Sequence, residues 1–297
     1  MKFSVIIPTY NRIDLLAKAI ESVSNQTFKD FEIIVINDNP EEKSRVDELV
    51  TKFDKAEVIH HANSKGGNAA RNSGILHSKG DYIAFLDDDD IWLPEKLALH
   101  LKEHEQDPAA GLVFSNCLYI YNNKNIADHV YSPKIPSDVI KAMGNAQFCP
   151  ATSSIVSIKR ECVEKCGLFD ENLASFQDWD YWFRIAHLFK FEHIPIVLVH
   201  YRQHLGDRTS YNENKRRKGL NQICDKWAGE INVKEFSANF IRGIYYKNSK
   251  NALMAGKKFS AFKKSLQLFN KEIFGIESIK GFTKLLLQLM FERKERG

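Results

Sequence analysis

The sequence of 297 residues lacks the patterns that mark several common classes of protein. Its five cysteines include no Cys-x-x-Cys pair, which argues against a zinc ribbon or a disulfide framework and predicts thiols in a reducing compartment. No apolar run approaches the roughly 18 residues of a membrane-spanning helix, and the opening apolar run is too short for a signal peptide. Neither a Gly-x-Gly-x-x-Gly motif nor a Walker lysine occurs, which argues against a dinucleotide site and a P-loop. We therefore expect a cytoplasmic protein.

Charge is distributed unevenly along a chain whose net charge is only +4. Residues 208–297 hold 20 basic and 8 acidic side chains, whereas residues 1–207 hold 22 basic and 30 acidic side chains. Apolar residues make up 43% of the chain and charged residues 27%, which is typical of a globular protein and excludes collagenous and disordered classes. We expect an acidic main body with a basic tail whose partner is anionic.

Short apolar runs alternate with helical patterns in the first part of the chain. The runs predict strands at residues 3–8, 31–37, 57–60 and 82–86, and the patterns predict helices at 13–23, 42–53, 68–77 and 94–105. This alternation is typical of an α/β fold with a mostly parallel sheet and helices on both faces. Polar residues follow the strands at 9–12, 37–39 and 87–90, and ligands of such sheets bind at the carboxyl ends of the strands.

The pattern becomes mixed after residue 111 and purely helical after residue 206. Strands are predicted at 112–115, 118–121, 153–157 and 194–201, with helices at 160–166 and 179–188 and a mobile loop at 126–147. The last part predicts helices at 234–254, 257–274 and 278–293. We therefore expect a main domain at 1–206, with halves at 1–110 and 111–206, and a basic helical region at 207–297.

Four consecutive aspartates, residues 87–90, directly follow the predicted strand at 82–86. Adjacent carboxylates repel one another unless a cation neutralises them, and a hard divalent ion suits oxygen ligands. The run therefore predicts a Mg²⁺ or Mn²⁺ site. The alternative is a solvated acidic turn, with Asp90 capping the helix that follows.

Three further clusters hold candidate site residues. The glycines at 66 and 67 allow close approach of the backbone to a ligand, and Arg71 on the helix that follows can pair with a phosphate; an ordinary turn is the alternative. Around Trp179, a carboxylate can act as a general base and flat rings can face a sugar, although Trp182 and Phe183 also fit a core. Arg202 and His204, just past a strand, can bind a diphosphate or complete a metal shell, or be structural.

Together these residues resemble the family 2 glycosyltransferases, which are inverting enzymes of the GT-A fold that use nucleotide-diphospho-sugars. The resemblance spans about residues 1–206. It rests on Val-Ile-Ile-Pro-Thr-Tyr-Asn-Arg at 5–12, the strand at 31–38, Ala-Arg-Asn-x-Gly at 70–74, the aspartates at 87–89 and Gln-Asp at 177–178. The chain departs from the family where Asn-Asp-Asn-Pro at 37–40 replaces Asp-Asp-Gly-Ser, and where Gln177 replaces an acid.

The resemblance implies roles for particular residues. Asp178 becomes the catalytic base, and Asp89, with His204 as a further candidate, becomes a ligand of Mn²⁺ or Mg²⁺. Trp179, Asp180 and Arg202 are candidates for contacting the acceptor or the diphosphate. The nucleotide-sugar is expected to contact Pro8, Thr9, Tyr10, Arg12, Asp38, Asn68, Arg71, Asp87 and Asp88. The implied reaction is a single inverting displacement onto a glycan or lipid-linked acceptor in bacterial polysaccharide or glycan assembly.

Other functions and partners remain open from the sequence. A nucleotidyltransferase also needs carboxylates and metal, but the Gly-rich basic loop expected after its first strand is missing here. A non-catalytic sugar-nucleotide or glycan-binding protein is the other alternative, and its best support is Gln177 in place of the acid before Asp178. The segment 278–293 predicts an amphipathic helix that packs on the main domain, on a second copy, or on an anionic membrane at the inner face of the cell membrane. No recognisable nucleic-acid-binding module is present, so no nucleic acid partner is expected.

Overall fold

The computed structural model describes residues 1–121, 126–203, 212–270, 273 and 275–291, with side chains described up to residue 287. The strands are β1 (Phe3–Thr9), β2 (Phe31–Asn37), β3 (Ala56–His60), β4 (Tyr82–Phe85), β5 (Ile91–Trp92), β6 (Ala110–Ile120), β7 (His129–Tyr131), β8 (Val156–Lys159) and β9 (Lys190–Arg202). The helices are α1 (Ile13–Ser24), α2 (Lys43–Val50), α3 (Gly67–His77), α4 (Lys96–Gln106), α5 (Val139–Gly144), α6 (Arg160–Cys166), α7 (Gln177–Ala186), α8 (Glu213–Lys226), α9 (Val233–Met254), α10 (Lys258–Ser265) and α11 (Ile276–Phe291).

The amino-terminal half is a parallel sheet built on β1. This strand pairs in parallel with β2 on one side and β4 on the other, and β3 continues the sheet beyond β2. All seven residues of β2 are buried, as expected for an apolar strand covered on both faces. The predicted α/β fold is therefore confirmed, and its strands end at one common edge.

The second half of the sheet adds antiparallel pairs. Strand β8 lies antiparallel between β4 and β6, β6 runs parallel to β9, and the short β5 pairs antiparallel with the end of β9. The two strands predicted at 112–115 and 118–121 are one continuous strand, β6. The strand predicted at 153–157 begins later, because Ser153–Ile155 form a 3-10 turn that Thr152 caps before β8.

The segment predicted to be a mobile loop, residues 126–147, contains regular structure. Strand β7 pairs with β6, and the Tyr131 hydroxyl donates to the carbonyl oxygen of Cys149 at 2.7 Å. Helix α5 begins after Asp138, whose side chain accepts from the backbone N–H of Lys141. Pairing with β6 orders this segment, and an expectation from local sequence alone misses such a distant contact.

The carboxy-terminal helices pack against the sheet domain. Leu220 and Ile223 of α8 and Phe236 of α9 belong to the same apolar core as the sheet. The Trp227 ring lies 4.9 Å from that of Phe183, and the Phe236 ring lies 4.7 Å from that of Trp179. Burial of aromatic rings in these contacts fixes α8 and α9 beside α7.

Helix α11 packs on α9 and α10. Leu285 is only 2% exposed, whereas Ile279 is 47% exposed. Burial of Leu285 within the chain supports intramolecular packing for at least part of this amphipathic surface. Among the described residues, no helix combines the length and the apolar character that crossing a bilayer requires.

Candidate active site

A cavity of about 880 Å³ opens where β1, β2 and β4 end, between α3, α7, α8 and α9. Most of the residues singled out from the sequence line it. These are Pro8, Thr9, Tyr10, Arg12, Asp38, Asn68, Arg71, Asp87, Asp88, Asp89, Asp178 and Trp179. Parallel strands that end at one edge bring these distant segments together, as the strand pattern predicts.

Three of the four consecutive aspartates form a compact acidic cluster. Asp87, Asp89 and Asp90 each offer a carboxylate oxygen, and these oxygens all lie within 4.8 Å of one another. Asp89 and Asp90 are buried and Asp87 is half-buried. A set of closely spaced hard oxygen donors fits Mg²⁺ or Mn²⁺, which keep open positions for phosphate oxygens.

Asp90 has a different role from the helix cap that the sequence allows. Its Oδ2 accepts from the Ser154 hydroxyl at 2.6 Å, and its Oδ1 accepts from the backbone N–H of Arg202 at 3.0 Å. Helix α4 begins after Glu95 without any side-chain cap. The fourth aspartate is therefore tied to β9 and turned towards Asp87 and Asp89, a placement that depends on tertiary contacts.

Two arginines neutralise the acidic run. Arg12 Nη2 lies 2.8 Å from Asp88 Oδ1, and its Nη1 donates to Asp89 Oδ2 at 2.8 Å. Arg71 Nη2 donates to Asp87 Oδ1 at 2.5 Å. Burial nevertheless raises the pKa of Asp88 to about 7, although Arg12 and the hydrogen bond from Thr9 act to lower it. In this buried site, each nearby positive charge therefore has a strong effect on the ionisation of the carboxyl groups.

Asp38, at the end of β2, organises the loop that leads into α3. Its Oδ1 contacts His61 Nδ1 at 2.7 Å and accepts from the N–H of Lys65, and its Oδ2 accepts from Gly66 N–H and the Ser64 hydroxyl, all three at 2.8 Å. Burial opposes ionisation of this carboxyl, but the hydrogen bonds outweigh it and hold its pKa below the ordinary value. Asp38 therefore lines the cavity with both oxygens engaged by the loop.

Asp178 lies in the first turn of α7 and lines the same cavity. The preceding Phe176 has a left-handed backbone with φ of 64°, which turns the chain sharply into the helix. The N–H of Trp179 donates to Asp178 Oδ1 at 2.8 Å. Burial raises the pKa of Asp178, while this N–H and the charge of Arg71 oppose the rise. A carboxylate with a raised pKa is suited to accept a proton.

Two predicted site residues, Asp180 and Arg202, are not among the described residues that line the cavity. Asp180 is fully buried, and its oxygens contact Arg184 at 3.0 Å and Lys226 and Trp227 Nε1 at 2.9 Å. It joins α7 to α8 and is not among the described residues that line the cavity, which corrects its expected contact with acceptor or diphosphate. Arg202 also lies outside the lining, where its backbone holds Asp90. His204 lies outside the described residues.

The comparison with protein families decides the affiliation of this chain. The sequence profile described as glycosyl transferase family 2 matches residues 4–167, which is more than half of the chain. The chain belongs to glycosyl transferase family 2. The match includes the strand ends, the acidic run and Arg71, and it stops before Asp178.

Curated relatives carry the same family name. An uncharacterized glycosyltransferase of Rickettsia conorii is 31% identical over 97% of this chain, but the chain spans only 47% of that relative. An uncharacterized glycosyltransferase of Bacillus subtilis is 31% identical over 80% of this chain and 88% of its own length. A Campylobacter jejuni protein named GalNAc(5)-diNAcBac-PP-undecaprenol beta-1,3-glucosyltransferase is 42% identical over 39% of this chain and 38% of its own.

Solved structures share the fold at low sequence identity. TarS 1–349 of S. aureus, solved with UDP-GlcNAc, has a TM-score of 0.59 and 17% identity, covering 97% of this chain and 80% of its own. The mannosyltransferase PcManGT of Pyrobaculum calidifontis, solved with GDP-Man and Mn²⁺, has a TM-score of 0.58 and 15% identity, covering 99% and 88%. The predicted GT-A fold with a helical carboxy-terminal part is thus confirmed.

The carboxy-terminal helices add cavity residues that our sequence analysis missed in this family 2 chain. Lys215, Arg216 and Lys218 of α8, and Phe240 and Lys247 of α9, line the cavity. The excess of basic residues after residue 207 signalled an anionic partner, but α8 was not among the predicted helices. Local sequence gives no sign that α8 lies against Ser175, where a Cβ on Gly219 would come within 2.8 Å of the Ser175 N.

Proposed function

We propose that this chain is a metal-dependent inverting glycosyltransferase that moves a sugar from a nucleotide-diphospho-sugar to an acceptor hydroxyl. One observation carries the proposal. Asp87 and Asp89 of the acidic cluster line the same cavity as a separate carboxylate, Asp178, whose pKa is affected by the charges of Arg71 and Asp87. The reaction needs positive charge at the leaving diphosphate and a base that accepts the proton of the acceptor hydroxyl. The acidic cluster suits a cation that supplies the first, and Asp178 suits the second.

The acidic cluster and Arg71 would serve the leaving group. Asp87, Asp89 and Asp90 would hold Mn²⁺ or Mg²⁺, which supplies positive charge to the diphosphate. The Arg71 guanidinium, already placed beside Asp87, would donate hydrogen bonds to the same diphosphate as negative charge develops on it. The neighbouring structure that holds GDP-Man together with Mn²⁺ supports a metal at such a site.

Asp178 would serve the nucleophile. As the acceptor oxygen forms its bond to the anomeric carbon, the bond from that carbon to the diphosphate breaks, and the acceptor proton passes to Asp178. The nucleoside diphosphate leaves with the bonding electron pair, so a single step inverts the anomeric centre. The hydrogen bond from Trp179 N–H fixes one oxygen of Asp178 and leaves the other for the proton. General-base help of this kind typically accelerates a reaction about 10²–10⁴-fold.

The acceptor is proposed from the chemistry of the relatives. The Campylobacter jejuni relative is named for a lipid-diphosphate-linked glycan acceptor, which supports a lipid-linked or glycan acceptor in bacterial glycan assembly. All five cysteines are unpaired thiols, which supports a reducing cytoplasmic setting. A peripheral position at the inner face of the membrane would bring the cavity to a lipid-linked acceptor.

Nucleotide binding tests the donor half of the proposal. Thermal unfolding is measured with UDP, GDP, dTDP and CDP, each with EDTA and with Mn²⁺ or Mg²⁺. A ligand at a hundredfold excess over its Kd stabilises the folded state by about 2.7 kcal/mol. We expect one nucleotide to stabilise the protein only with metal, and Asp89→Ala to abolish the effect. The matched control is Asp54→Ala, at an exposed carboxylate outside the cavity lining, which should leave the shift unchanged.

Turnover tests the catalytic half. With the donor identified by the binding panel, Asp178→Asn should keep the metal-dependent stabilisation and lose at least about a hundredfold in transfer rate. Because burial raises the pKa of Asp178, the acid limb of the kcat/KM profile should lie above the ordinary pKa of an aspartate. Nucleotide binding without transfer by the unmodified protein would instead favour a non-catalytic binding protein.

A further inference from the structure

A row of cations from the basic carboxy-terminal region faces the cavity. Lys215, Arg216 and Lys218 lie in the first two turns of α8, and Lys247 lies on α9. Lys215 and Lys218 are exposed, and Arg216 and Lys247 are half-buried. Residues three apart on a helix lie on the same side, so Lys215 and Lys218 present two ammonium groups together.

The basic side chains of α8 fall into two groups. Arg217 Nη2 lies 2.9 Å from Glu213 Oε1, and Lys226 contacts Asp170 at 2.7 Å and Asp180 at 2.9 Å. Arg217 and Lys226 are therefore neutralised by carboxylates of the protein. In the described part of the chain, by contrast, no carboxylate lies within ion-pair distance of Lys215 or Lys218. Their charge is therefore available to an anion in the cavity.

Arg216 connects this row to the proposed base. Its Cζ lies 5.5 Å from the centre of the Phe176 ring, at the turn that places Asp178. Burial lowers the pKa of Arg216 to about 10, and the negative charge of Asp178 opposes that shift. Arg216 therefore lies on the side of the cavity where the proposed base meets the acceptor hydroxyl.

Other positive charges are placed to neutralise the donor diphosphate. Arg12 contacts Asp89 and Arg71 contacts Asp87, and a divalent cation fits the same acidic cluster. An in-line displacement puts the leaving group and the nucleophile on opposite sides of the anomeric carbon. Lys215, Arg216 and Lys218 of α8, which line the same cavity, thus remain for a second anion, one that enters with the acceptor.

We infer that the acceptor carries a phosphate or diphosphate group, and that Lys215 and Lys218 bind this group while the acceptor hydroxyl lies at Asp178. This inference rests on the proposed glycosyl transfer and names the acceptor class of that reaction. Lysines bind phosphate as compact charges, and charge complementarity makes their contribution dependent on salt. Phe176 and Phe240, which also line this wall, offer apolar surface to a chain attached to the phosphate.

The test measures anion binding without any turnover, so it does not depend on a known donor. The protein is titrated in EDTA with inorganic pyrophosphate and with geranyl diphosphate, a short isoprenyl diphosphate, and binding is followed by calorimetry. EDTA removes binding that requires a divalent ion at the acidic cluster. The variant is the pair Lys215→Gln and Lys218→Gln. The control is the pair Lys263→Gln and Lys264→Gln, exposed residues of the same basic region that lie outside the cavity lining and change the net charge equally.

We expect salt-sensitive binding that the variant pair weakens at least about tenfold, because each lysine would otherwise donate a charge-assisted hydrogen bond to the anion. The control pair should bind like the unmodified protein. Binding of geranyl diphosphate alone would support a lipid-linked phosphate, and equal binding of both probes would support a phosphate on a soluble or polymeric acceptor.

Three results would overturn the inference: no binding of either probe, binding that appears only with Mn²⁺, or equal weakening in the control pair. None of these depends on Asp178, so the inference can fail while metal-dependent donor binding and transfer remain intact. Conversely, loss of transfer in an otherwise competent protein would contradict the proposed function without affecting the anion titration.

Discussion

Arg12 and a divalent cation should compete for the same carboxylates, and Arg12→Gln tests this directly. The Arg12 guanidinium lies 2.8 Å from both Asp88 and Asp89, whose side chains are 0% and 5% exposed. Without metal, Arg12 is a principal neutralising charge for this pair. Its removal leaves two buried carboxylates beside each other, and a bound cation should then replace the missing charge.

The size of the effect follows from these contacts. Each hydrogen bond between charged groups contributes about 1.5–3 kcal/mol. The Arg12 side chain is 34% exposed, so water replaces part of what is lost. We therefore expect Arg12→Gln to lower the free energy of unfolding by about 2–3 kcal/mol in EDTA. At about 2–4 °C per kcal/mol for a large domain, Tm should fall by about 4–12 °C.

The pH dependence gives a second signature. Burial raises the folded-state pKa of Asp88 from 3.8 to about 7, so the folded protein binds this proton more readily than the unfolded chain. The stability contributed by Asp88 therefore falls as pH rises from about 4 to about 7. Because Arg12 lowers this pKa, the variant should have it raised further. The deficit of Arg12→Gln should then be larger at about pH 8.5 than at about pH 5.5.

Thermal unfolding in EDTA and in Mn²⁺ at both pH values measures these differences. The control is Arg160→Gln, because Arg160 donates at 2.7 Å to the Gly80 carbonyl and at 3.0 Å to the Ser78 hydroxyl, both uncharged. Mn²⁺ should restore most of the stability of Arg12→Gln and none of that of Arg160→Gln. An Arg12→Gln deficit that is the same with and without Mn²⁺ would refute the idea that arginine and metal share these carboxylates.

Two further predictions concern the packing that supports the site. Burial lowers the pKa of Lys96 well below 10.5, so its contribution to stability falls as pH drops below that value. Lys96→Met should remove this contribution, so the free energy of unfolding measured in urea should change less with pH in the variant than in the wild type. An equal pH dependence in the variant would contradict this. A Cβ at Gly74 would lie 2.5 Å from Ile6 and 2.8 Å from Ile36, so Gly74→Ala should lower the free energy of unfolding by about 1–3 kcal/mol. The control is Gly243→Ala, in open space within α9, which should raise Tm slightly. Similar Tm shifts for both variants would argue against close packing of α3 on β1 and β2.

The parallel half of the fold could be predicted because its signals are local. Continuous apolar runs mark β1, β2 and β4, and each is buried on both faces. The errors fall where pairing with a distant strand decides the structure. Strand β7 is three residues long and exists through its pairing with β6, and β5 is two residues long and pairs with β9. Such short segments carry no periodicity of their own.

The site shows the same division between local and distant signals. The aspartates at 87–89, together with Tyr10 and Arg12 after β1, stand out because they follow apolar strands, and the structure places them in one cavity. Asp180 is a carboxylate beside two tryptophans, a pattern that matches a sugar site as well as a buried ion pair. In the structure it forms ion pairs with Arg184 and Lys226, and Lys226 is 46 residues away in a helix that was not predicted.

The sequence by itself determined the α/β class, the mostly parallel strands of the first half and the aspartates that follow one of them, because burial and charge repulsion act on neighbours in the chain. The tertiary structure alone decided that Arg12 binds Asp88 and Asp89, that Ser154 donates a hydrogen bond to Asp90, and that α8 brings lysines to the cavity that Asp178 also lines. These arrangements depend on contacts between segments far apart in the chain. Such contacts form when apolar faces such as those of α7, α8 and α9 are buried against one another, and the pattern within any single segment does not specify that partner.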